Sequence, residues 1–263
     1  MYRRVLVGYI DTERGHDALE LGRVLAQASD ADLFVVTATG EDDGGLAGLA
    51  RSKGADLIVL GTTGRGPFGR VVPGTTLDRI LGEAPRAVAV APPGFGRRAG
   101  VELGWKPLSG DTEDVGLRVI GVGFDGSRAA HEALRISSEL AIANGAALRV
   151  YTVARNYARV PGADADGRVP GVPTEAERLR EELHEAVSRL PTEARPLPVF
   201  LRGNPAAELS RAIELGVDLL VLGTRPGGSL RRALHHSVSN AVLAQAPCPV
   251  LISAAGVTAS ALV

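Results

Sequence analysis

A glycine-rich segment in the first half of the chain has the residue types of an anion-binding loop. After an apolar run that ends at Leu60, the sequence reads GTTGRGPFGRVVPGTTLDRIL. Glycines accept positive φ angles and let backbone N–H groups approach an anion closely. Thr75 and Thr76 then precede a helical pattern, and a helix that begins after a glycine-rich loop is a ready phosphate site. From the loop alone, a phosphate site and a long β-to-α turn are equally good interpretations.

Other side chains of the loop could add to such a site. Arg65 could neutralise a phosphate, and Thr62 could supply a hydroxyl or an N–H donor, although surface positions explain both residues equally well. Between Gly61 and Thr76, before the helical pattern, the loop contains no Asp, Glu or Lys that could hold magnesium or activate water. The G-x-x-x-x-G-K-[ST] pattern of a P-loop is also missing. These features favour binding over fast phosphoryl transfer, which depends on positioned charges.

The elements that would position this loop occur twice. Three segments of the first half recur in the same order in the second half, which predicts a duplicated domain. They are RVLVG (Arg4–Gly8) with RVIGV (Arg118–Val122), ADLIVLG (Ala55–Gly61) with VDLLVLG (Val217–Gly223), and EAPRAVAV (Glu83–Val90) with QAPCPVLI (Gln245–Ile252).

Short, nearly continuous apolar runs alternate with helical patterns along both halves. Such runs are typical of parallel strands covered on both faces, and the alternation predicts βαβ units in a doubly wound sheet. The predicted fold class is therefore α/β, with two tandem Rossmann-like domains. The predicted strands are Val5–Val7, Leu33–Val36, Leu57–Leu60, Ala87–Val90, Val119–Val122, Leu148–Val153, Leu197–Arg202, Leu219–Leu222 and Val250–Ile252.

The two halves differ in length. Between its second strand and ADLIVLG the first half has only Thr37–Lys53, whereas the second half has Ala154–Gly216 at that place. The longer segment fits a loop, a charged helix at Thr174–Leu190 and an extra strand, so we expect the first domain to lack one helix–strand unit. The expected organisation is a first domain at 1–93, a linker at 94–116, a second domain at 117–255 and a tail at 256–263.

Composition excludes several classes of protein. The 263 residues include 29 basic and 30 acidic side chains, so the net charge of −1 offers no field for nucleic acid or an anionic membrane. Aromatic residues make up only 4%, and the single Cys248 fits a reducing compartment. No apolar segment approaches the roughly 20 residues of a spanning helix. We expect a cytoplasmic protein that binds neither nucleic acid nor a membrane.

The motif and its surroundings resemble the universal stress protein family. The family's nucleotide motif is Gly, two residues, Gly, nine residues, Gly, then Ser or Thr, and here it falls on Gly61, Gly64, Gly74 and Thr75. In the second half, GFDGSRAAHEAL resembles the family's first strand-to-helix turn and APCPVLI its last strand. The resemblance implies a tandem protein in which each domain is of an adenine-nucleotide-binding type. It also implies that the last strands of the two domains pair, here within one chain.

Each half departs from the family pattern in a different place. In the first half, Ile10 stands where the family has the Asp near the nucleotide's sugar, and Asp11 follows one place later. The resemblance also implies that the backbone at the end of the second strand, around Thr37, meets the adenine edge. Asp11 could substitute for the missing carboxylate if the turn shifts, but a solvated turn residue is an equally good interpretation.

In the second half the first turn is intact and the phosphate loop is altered. Asp125 and Gly223 match the family, whereas Pro226 and His236 replace the second and third glycines of the motif. Proline removes an N–H donor and fixes φ, which weakens the loop as an anion site, although Gly227 and Gly228 could re-form part of the phosphate nest. The remaining candidates of this weaker site are Arg225, Ser237 and Val238.

We therefore expect the first domain to bind nucleotide better than the second. A composite site shared by the two domains is disfavoured, because the two crevices need not adjoin.

The expected function is that of a sensor that binds ATP or another adenine nucleotide and signals to an unidentified protein partner. Mg²⁺ could accompany the nucleotide, and association of two chains is left open. Two alternatives remain at this point: a slow ATPase, and a scaffold that binds no nucleotide.

Overall fold

The computed structural model describes residues 1–37, 45–62, 87–96, 117–155, 174–224 and 238–254. The elements of the first half are β1 (Arg4–Tyr9), α1 (Glu13–Ser29), β2 (Asp32–Thr37), α2 (Gly45–Ser52), β3 (Leu57–Gly61) and β4 (Ala87–Ala91). Those of the second half are β5 (Val119–Gly123), α3 (Arg128–Asn144), β6 (Ala147–Ala154), α4 (Glu175–Ser188), a 3₁₀ turn (Thr192–Ala194), β7 (Pro196–Arg202), α5 (Pro205–Glu214), β8 (Leu219–Thr224), α6 (Val238–Leu243) and β9 (Val250–Ala254). Every strand expected from the sequence lies within an observed strand.

All nine strands form one sheet in the order β2-β1-β3-β4-β9-β8-β5-β6-β7. Within each half the neighbouring strands are parallel, which confirms the predicted α/β class. In the first half the chain adds its next strands first on one side of β1 and then on the other, and in the second half it does the same around β5. Each such reversal is a topological switch point. In open sheets of this kind, ligands bind at such a switch point, outside the carboxyl ends of the strands.

The halves are joined by an antiparallel pair, β4 with β9. Residues Ala87 to Val90 pair with Ser253 to Val250, and all eight are buried. This is the pairing of last strands that the resemblance implied. Because the pair is antiparallel, the carboxyl ends of β1 and β3 point to the opposite end of the sheet from those of β5 and β8. A binding site shared by the two switch points is thereby excluded.

Helices cover both faces of the sheet and give three layers. One hydrophobic cluster takes Leu21 and Leu25 from α1, Leu134 from α3 and Leu183 from α4. A second cluster, on the other face, takes residues from α2, α5 and α6. The first cluster runs through both halves, and Asn144 Nδ2 of α3 donates to the Ala28 carbonyl of α1 at 3.3 Å.

The missing helix–strand unit leaves β2 at the edge of the sheet. Its counterpart β6 pairs with β7 along seven residues, and Leu148 and Val150 of β6 are fully buried. The corresponding residues of β2, Leu33 and Val35, are only partly covered, with Val35 47% exposed. The continuous apolar run of β2 therefore does not have the coverage on both faces that its sequence pattern predicts.

Strand pairing corrects one repeat match by a single residue. Val7 pairs with Val59 of β3, and Val122 pairs with the equivalent Val221 of β8. Val7 therefore corresponds to Val122, whereas the match of RVLVG with RVIGV would align it with Gly121. Runs of small and β-branched residues look alike after such a shift, so the letters alone do not fix the register.

The first helix of each half begins with an equivalent cap, and the two capping residues are in the same register as Val7 and Val122. Thr12 Oγ1 accepts the Gly15 N–H, and Ser127 Oγ accepts the Ala130 N–H, each at 3.2 Å. The residues that cap the carboxyl ends of these helices, Asp30 and Gly145, both have positive φ. Because Thr12 caps it, α1 begins at Glu13, three residues before the helical pattern predicted from His16.

A buried carboxylate of α1 holds the segment that follows β4. Asp17 is 4% exposed, and its two oxygens accept the N–H groups of Gly94 and Gly96 at 2.8 and 2.9 Å. Both bonds end on a charged acceptor, which makes each stronger than a neutral hydrogen bond.

Replacing Asp17 with Asn should lower the free energy of unfolding by about 1–3 kcal/mol. The amide keeps one acceptor oxygen and turns an NH₂ group toward the second N–H. Urea unfolding followed by circular dichroism measures the loss. The exposed Asp32 gives the control Asp32→Asn, which should leave stability unchanged, and equal stability of both variants would contradict this role for Asp17.

Tyr2 lies in the core where the halves meet. Its side chain belongs to the first cluster, and its hydroxyl has no hydrogen-bond partner in the described part of the chain. Burial, followed by the nearby carboxylates of Asp56, Glu132 and Glu139, raises the pKa of Tyr2 far above its ordinary value.

Tyr2→Phe should leave the protein as stable at pH 7, or more stable by up to about 1 kcal/mol, because it removes a buried polar group without a bond. Above about pH 10 the unfolded chain loses the Tyr2 proton while the folded chain keeps it, so the parent should lose stability relative to the variant. Denaturant unfolding at pH 7 and pH 11 tests both statements. A variant that is clearly less stable at pH 7 would show that the hydroxyl is bonded.

Candidate functional site

A cavity of about 420 Å³ opens at the switch point of the second half. It lies at the carboxyl ends of β5, β6 and β8 and is bounded by helices of both outer layers. Its lining residues are Gly123, Phe124, Asp125, Ala130, Tyr151, Val153, Arg155, Glu175, Leu179, Pro205, Leu209, Leu222, Gly223, Val238 and Ser239. This volume is within the range of small-molecule sites in proteins.

One side of the cavity is built on β5, β8 and α6 and carries one carboxylate, that of Asp125. Asp125 is exposed at its rim, just after β5, and accepts the Ser127 N–H at 3.1 Å. That bond closes the turn into α3 and fixes the position of the carboxylate. Val238 and the buried Ser239 of α6 complete this side. A fixed carboxylate in a cleft suits a ligand that carries hydroxyl donors, as a sugar does.

The other side of the cavity is mostly apolar and is built on β6, α4 and α5. Tyr151 and Leu209 are buried in its wall, and Val153 and Leu179 are partly exposed. Two ionisable groups, Arg155 and Glu175, also line this side. A flat apolar group with polar edges would fit here.

The first glycine of each motif is required by packing. A Cβ at Gly223 would overlap the carbonyl of Ala129 in the first turn of α3, and a Cβ at Gly61 would overlap the carbonyl of Arg14 in α1. In both halves the strand therefore passes so close to a helix that only glycine fits. Gly61 and Gly223 let the strand and the helix converge at the cleft.

The described part of the first-half loop ends just after this glycine. Thr62 is 2% exposed, and its hydroxyl has no partner among the described residues. Its counterpart Thr224 donates to the Ser253 carbonyl at 3.2 Å. The other first-half candidates, Gly64, Arg65, Gly74, Thr75 and Thr76, lie outside the described residues, as do Arg225 and Ser237 of the second half.

The turn after β1 does not reproduce the one after β5. By strand register Ile10 takes the place of Asp125, and its side chain is 54% exposed. Asp11 is also exposed: its carboxylate accepts the Tyr9 hydroxyl at 3.2 Å and lies 3.6 Å from His16 Nε2. Partial desolvation and this hydrogen bond raise the pKa of Tyr9. Thr37 is exposed at the end of β2, opposite Tyr9 in the sheet.

A leucine of α2 covers the end of β1 in the first half. A Cβ at Gly8 would lie 2.7 Å from Leu46 Cδ2 and 3.2 Å from Leu60 Cδ2. Gly8 corresponds to Gly123, which lines the second-half cavity. A Cβ at Gly123 would lie 2.7 Å from Leu222 Cδ2 and 3.7 Å from Leu209 Cδ1, so one leucine of a strand and one of a helix lie over this glycine in both halves.

The apolar side of the cavity was not among the residues expected from the sequence. Leu179 and Glu175 belong to α4, whose many Glu and Arg residues read as a solvated face. The sequence of a charged helix does not by itself predict which of its turns will lie beside a cleft. The second half has one helix–strand unit more than the first, α4 with β7. This difference in length could have indicated that the unit forms part of the second-half cleft.

Neither a metal site nor a membrane-spanning helix is found among the described residues. No group of three His, Cys, Asp or Glu side chains comes together there. The helices of that part of the chain are too short or too polar to span a bilayer.

Comparison with known proteins finds that this chain is similar to members of one family. The model of the universal stress protein family matches residues 35–92 and 116–253. A universal stress protein of Thermus aquaticus is 34% identical over 144 residues, covering 52% of this chain and 98% of the relative. One of Mycobacterium tuberculosis H37Rv is 27% identical over 217 residues, covering 79% and 67%. The crystal structure of a universal stress protein from Archaeoglobus fulgidus covers 97% of this chain and 87% of its own, with a TM-score of 0.57 at 18% identity, and shares the fold.

Gly223→Ala should lower the free energy of unfolding by about 1–3 kcal/mol, because the added methyl group forces β8 away from α3. Gly48→Ala in α2 is the matched control. A Cβ at Gly48 meets nothing within 4 Å, so that variant should be as stable as the parent or up to about 1 kcal/mol more stable. Thermal and urea unfolding compare the two, and a fully stable Gly223→Ala protein would contradict the packing role.

Proposed function

This chain belongs to the universal stress protein family, and we propose that it binds an adenine nucleotide and acts as a sensor. The cavity of about 420 Å³ at the second switch point, with Asp125 at its rim, is the observation that carries the proposal. The parallel sheet places this cavity where open α/β sheets bind their ligands. The resemblance of GFDGS to the family's first turn supports an adenine nucleotide as the ligand.

Each part of the cavity suits one part of a nucleotide. The base lies between β6, α4 and α5, where Val153 and Leu179 offer apolar surface. The ribose hydroxyls donate to the Asp125 carboxylate, which the Ser127 N–H holds in place. The phosphates point past Gly223 toward α6. Mg²⁺, where it accompanies the nucleotide, is bound through the phosphates, which are its usual ligands in nucleotide sites.

The first-half motif is part of the same proposal. Gly61, Gly64, Gly74 and Thr75 have the complete spacing, so an anion site at the end of β3 remains a prediction from the sequence. Its location at the opposite end of the sheet makes it a second, independent site. The variants described below tell the two sites apart.

Binding without rapid turnover fits the residues on both halves. The glycine-rich loop has no acidic residue or Lys to activate water, and the described cavity has Asp125 and Glu175 but no lysine. We therefore propose a regulator of the stress response that reads the nucleotide through ordering of the cleft. The cytoplasmic location and the unidentified protein partner expected from the sequence belong to this proposal.

Isothermal titration of ATP and AMP against the whole chain tests the site. Asp125→Asn should weaken binding by about tenfold or more, because a hydrogen bond to a charged acceptor becomes a neutral one. The amide oxygen still accepts the Ser127 N–H, so the turn should persist. Asp11→Asn is the matched control in the first half and should leave binding unchanged.

The outcomes separate three cases. Loss of binding with Asp125→Asn alone supports the second-half site. Loss with Asp11→Asn alone would contradict it and move the site to the first half. No heat from any adenine nucleotide at millimolar concentration, and no shift of the melting temperature, would reject nucleotide binding altogether.

A further inference from the structure

We infer that two copies of this chain associate through the outer edge of β2, as an antiparallel strand pair on a two-fold axis at Val35. The inference does not depend on nucleotide binding. It rests on the backbone groups that β2 turns outward, on the different composition of the other sheet edge, and on the way in which β2 complements a second copy of itself.

The outer edge of β2 offers backbone donors and acceptors to another strand. Among the described residues β2 pairs with β1 alone. The Asp32 N–H donates to the Arg3 carbonyl at 2.9 Å, so the backbone groups of Asp32 point toward β1. Because successive residues of a strand point these groups to opposite sides, those of Leu33, Val35 and Thr37 point away from the sheet. A row of outward N–H and C=O groups is a template for pairing with another chain.

The opposite edge of the sheet, strand β7, is protected against such pairing. The Gly203 N–H, just after β7, donates to the Ala154 carbonyl of β6 at 3.0 Å. By the same alternation, Pro196 and Pro198 occupy outward positions of β7. Proline has no N–H, and prolines at such positions keep a sheet edge from adding a strand. β2 contains no proline, so its outward residues keep all their donors.

The side chains of β2 are apolar and incompletely covered. Val35 lies on the same face as Leu33, which packs against the first cluster, and it is 47% exposed. Phe34 and Val36, on the other face, are only partly buried against the second cluster. Asp32, at the start of the strand, is its one charged residue. A partner strand would therefore cover apolar surface without burying a charge at the centre of the contact.

A second copy of β2 is the occupant that matches this edge. In an antiparallel pair centred on Val35, the two Val35 residues lie opposite each other and Leu33 lies opposite Thr37. Every outward residue then forms both of its backbone bonds. A centre at Phe34 or Val36 would leave one of the three outward residues without an opposite residue in the strand. On the second-cluster face Phe34 lies opposite Val36, and such aromatic and β-branched pairs stabilise sheets.

The pair would repeat between two chains an arrangement that already exists within one. β4 and β9 join the two halves as an antiparallel pair of buried strands. A β2–β2 pair would continue the nine-stranded sheet across the two-fold axis in the same manner. Because each copy uses the same surface, the contact closes at two copies, and the β7 edges with their prolines remain at the outside.

Sedimentation velocity of the whole chain, from about 1 µM to about 200 µM, tests the inference. We expect a dimer that dissociates on dilution, because a pair of edge strands buries less surface than a standard interface. Val35→Lys should raise the dissociation constant by about tenfold or more, since two ammonium groups would face each other across the axis. Val35 is already half exposed, so the variant should fold, and its thermal unfolding verifies this. Leu197→Lys is the matched control, because Leu197 is 55% exposed on β7, and it should dimerise like the parent.

Val35→Cys tests the register of the pair. Two thiols opposite each other on the axis should form a disulfide between the copies on mild oxidation, whereas Leu197→Cys should not. Cys248 is buried and is present in both variants. Three results would each overturn the inference: a parent chain that stays monomeric throughout the concentration range, a Val35→Lys protein that dimerises as well as the parent, or a Val35→Cys protein that cross-links no more than Leu197→Cys.

Discussion

The antiparallel pair of β4 and β9 determines how the two halves of this protein relate to each other. Each half ends its own parallel sheet with a strand whose side chains are almost all small or β-branched, and the two last strands bury each other. The pair removes two apolar edges that would otherwise be open to other chains. It also reverses the strand direction between the halves. Two switch points that resemble each other in sequence therefore lie at opposite ends of one sheet, and no single ligand can contact both.

The loss of one helix–strand unit from the first half has two consequences, one structural and one functional. β2 becomes an edge strand, with Val35 exposed where Val150 of the second half is buried. The same loss removes α4 and β7, which in the second half form and support the apolar side of the cavity. The two halves are thus unequal, with the complete glycine motif in the sequence of one and the described cavity at the switch point of the other.

Much of the fold could be predicted from the sequence because the repeats and the apolar runs encode local structure. The nine strands, the extra strand β7 and the position of Asp125 after β5 all follow from such patterns. The register of the RVLVG repeat could not be predicted, since in either alignment two of its three apolar residues match an apolar residue of the second half. The apolar wall of the cavity could not be predicted either. The spacing of Leu179 and Leu183 in the Glu- and Arg-rich helix α4 marks a face that packs inward. That Leu179 lines a cavity depends on how α4 packs on β6 and β7, which this spacing does not encode.

We propose that the adenosine part of the nucleotide binds at the second switch point and not at the first. Hydrogen exchange measured by mass spectrometry, with and without saturating adenosine, tests it most directly because it reads both ends of the sheet in one experiment. We expect slower exchange in the turn around Asp125, in the last residues of β6 and in the first turn of α4, with no change at Tyr9–Thr12 or at Gly61–Thr62. Protection confined to the first-half segments would contradict it.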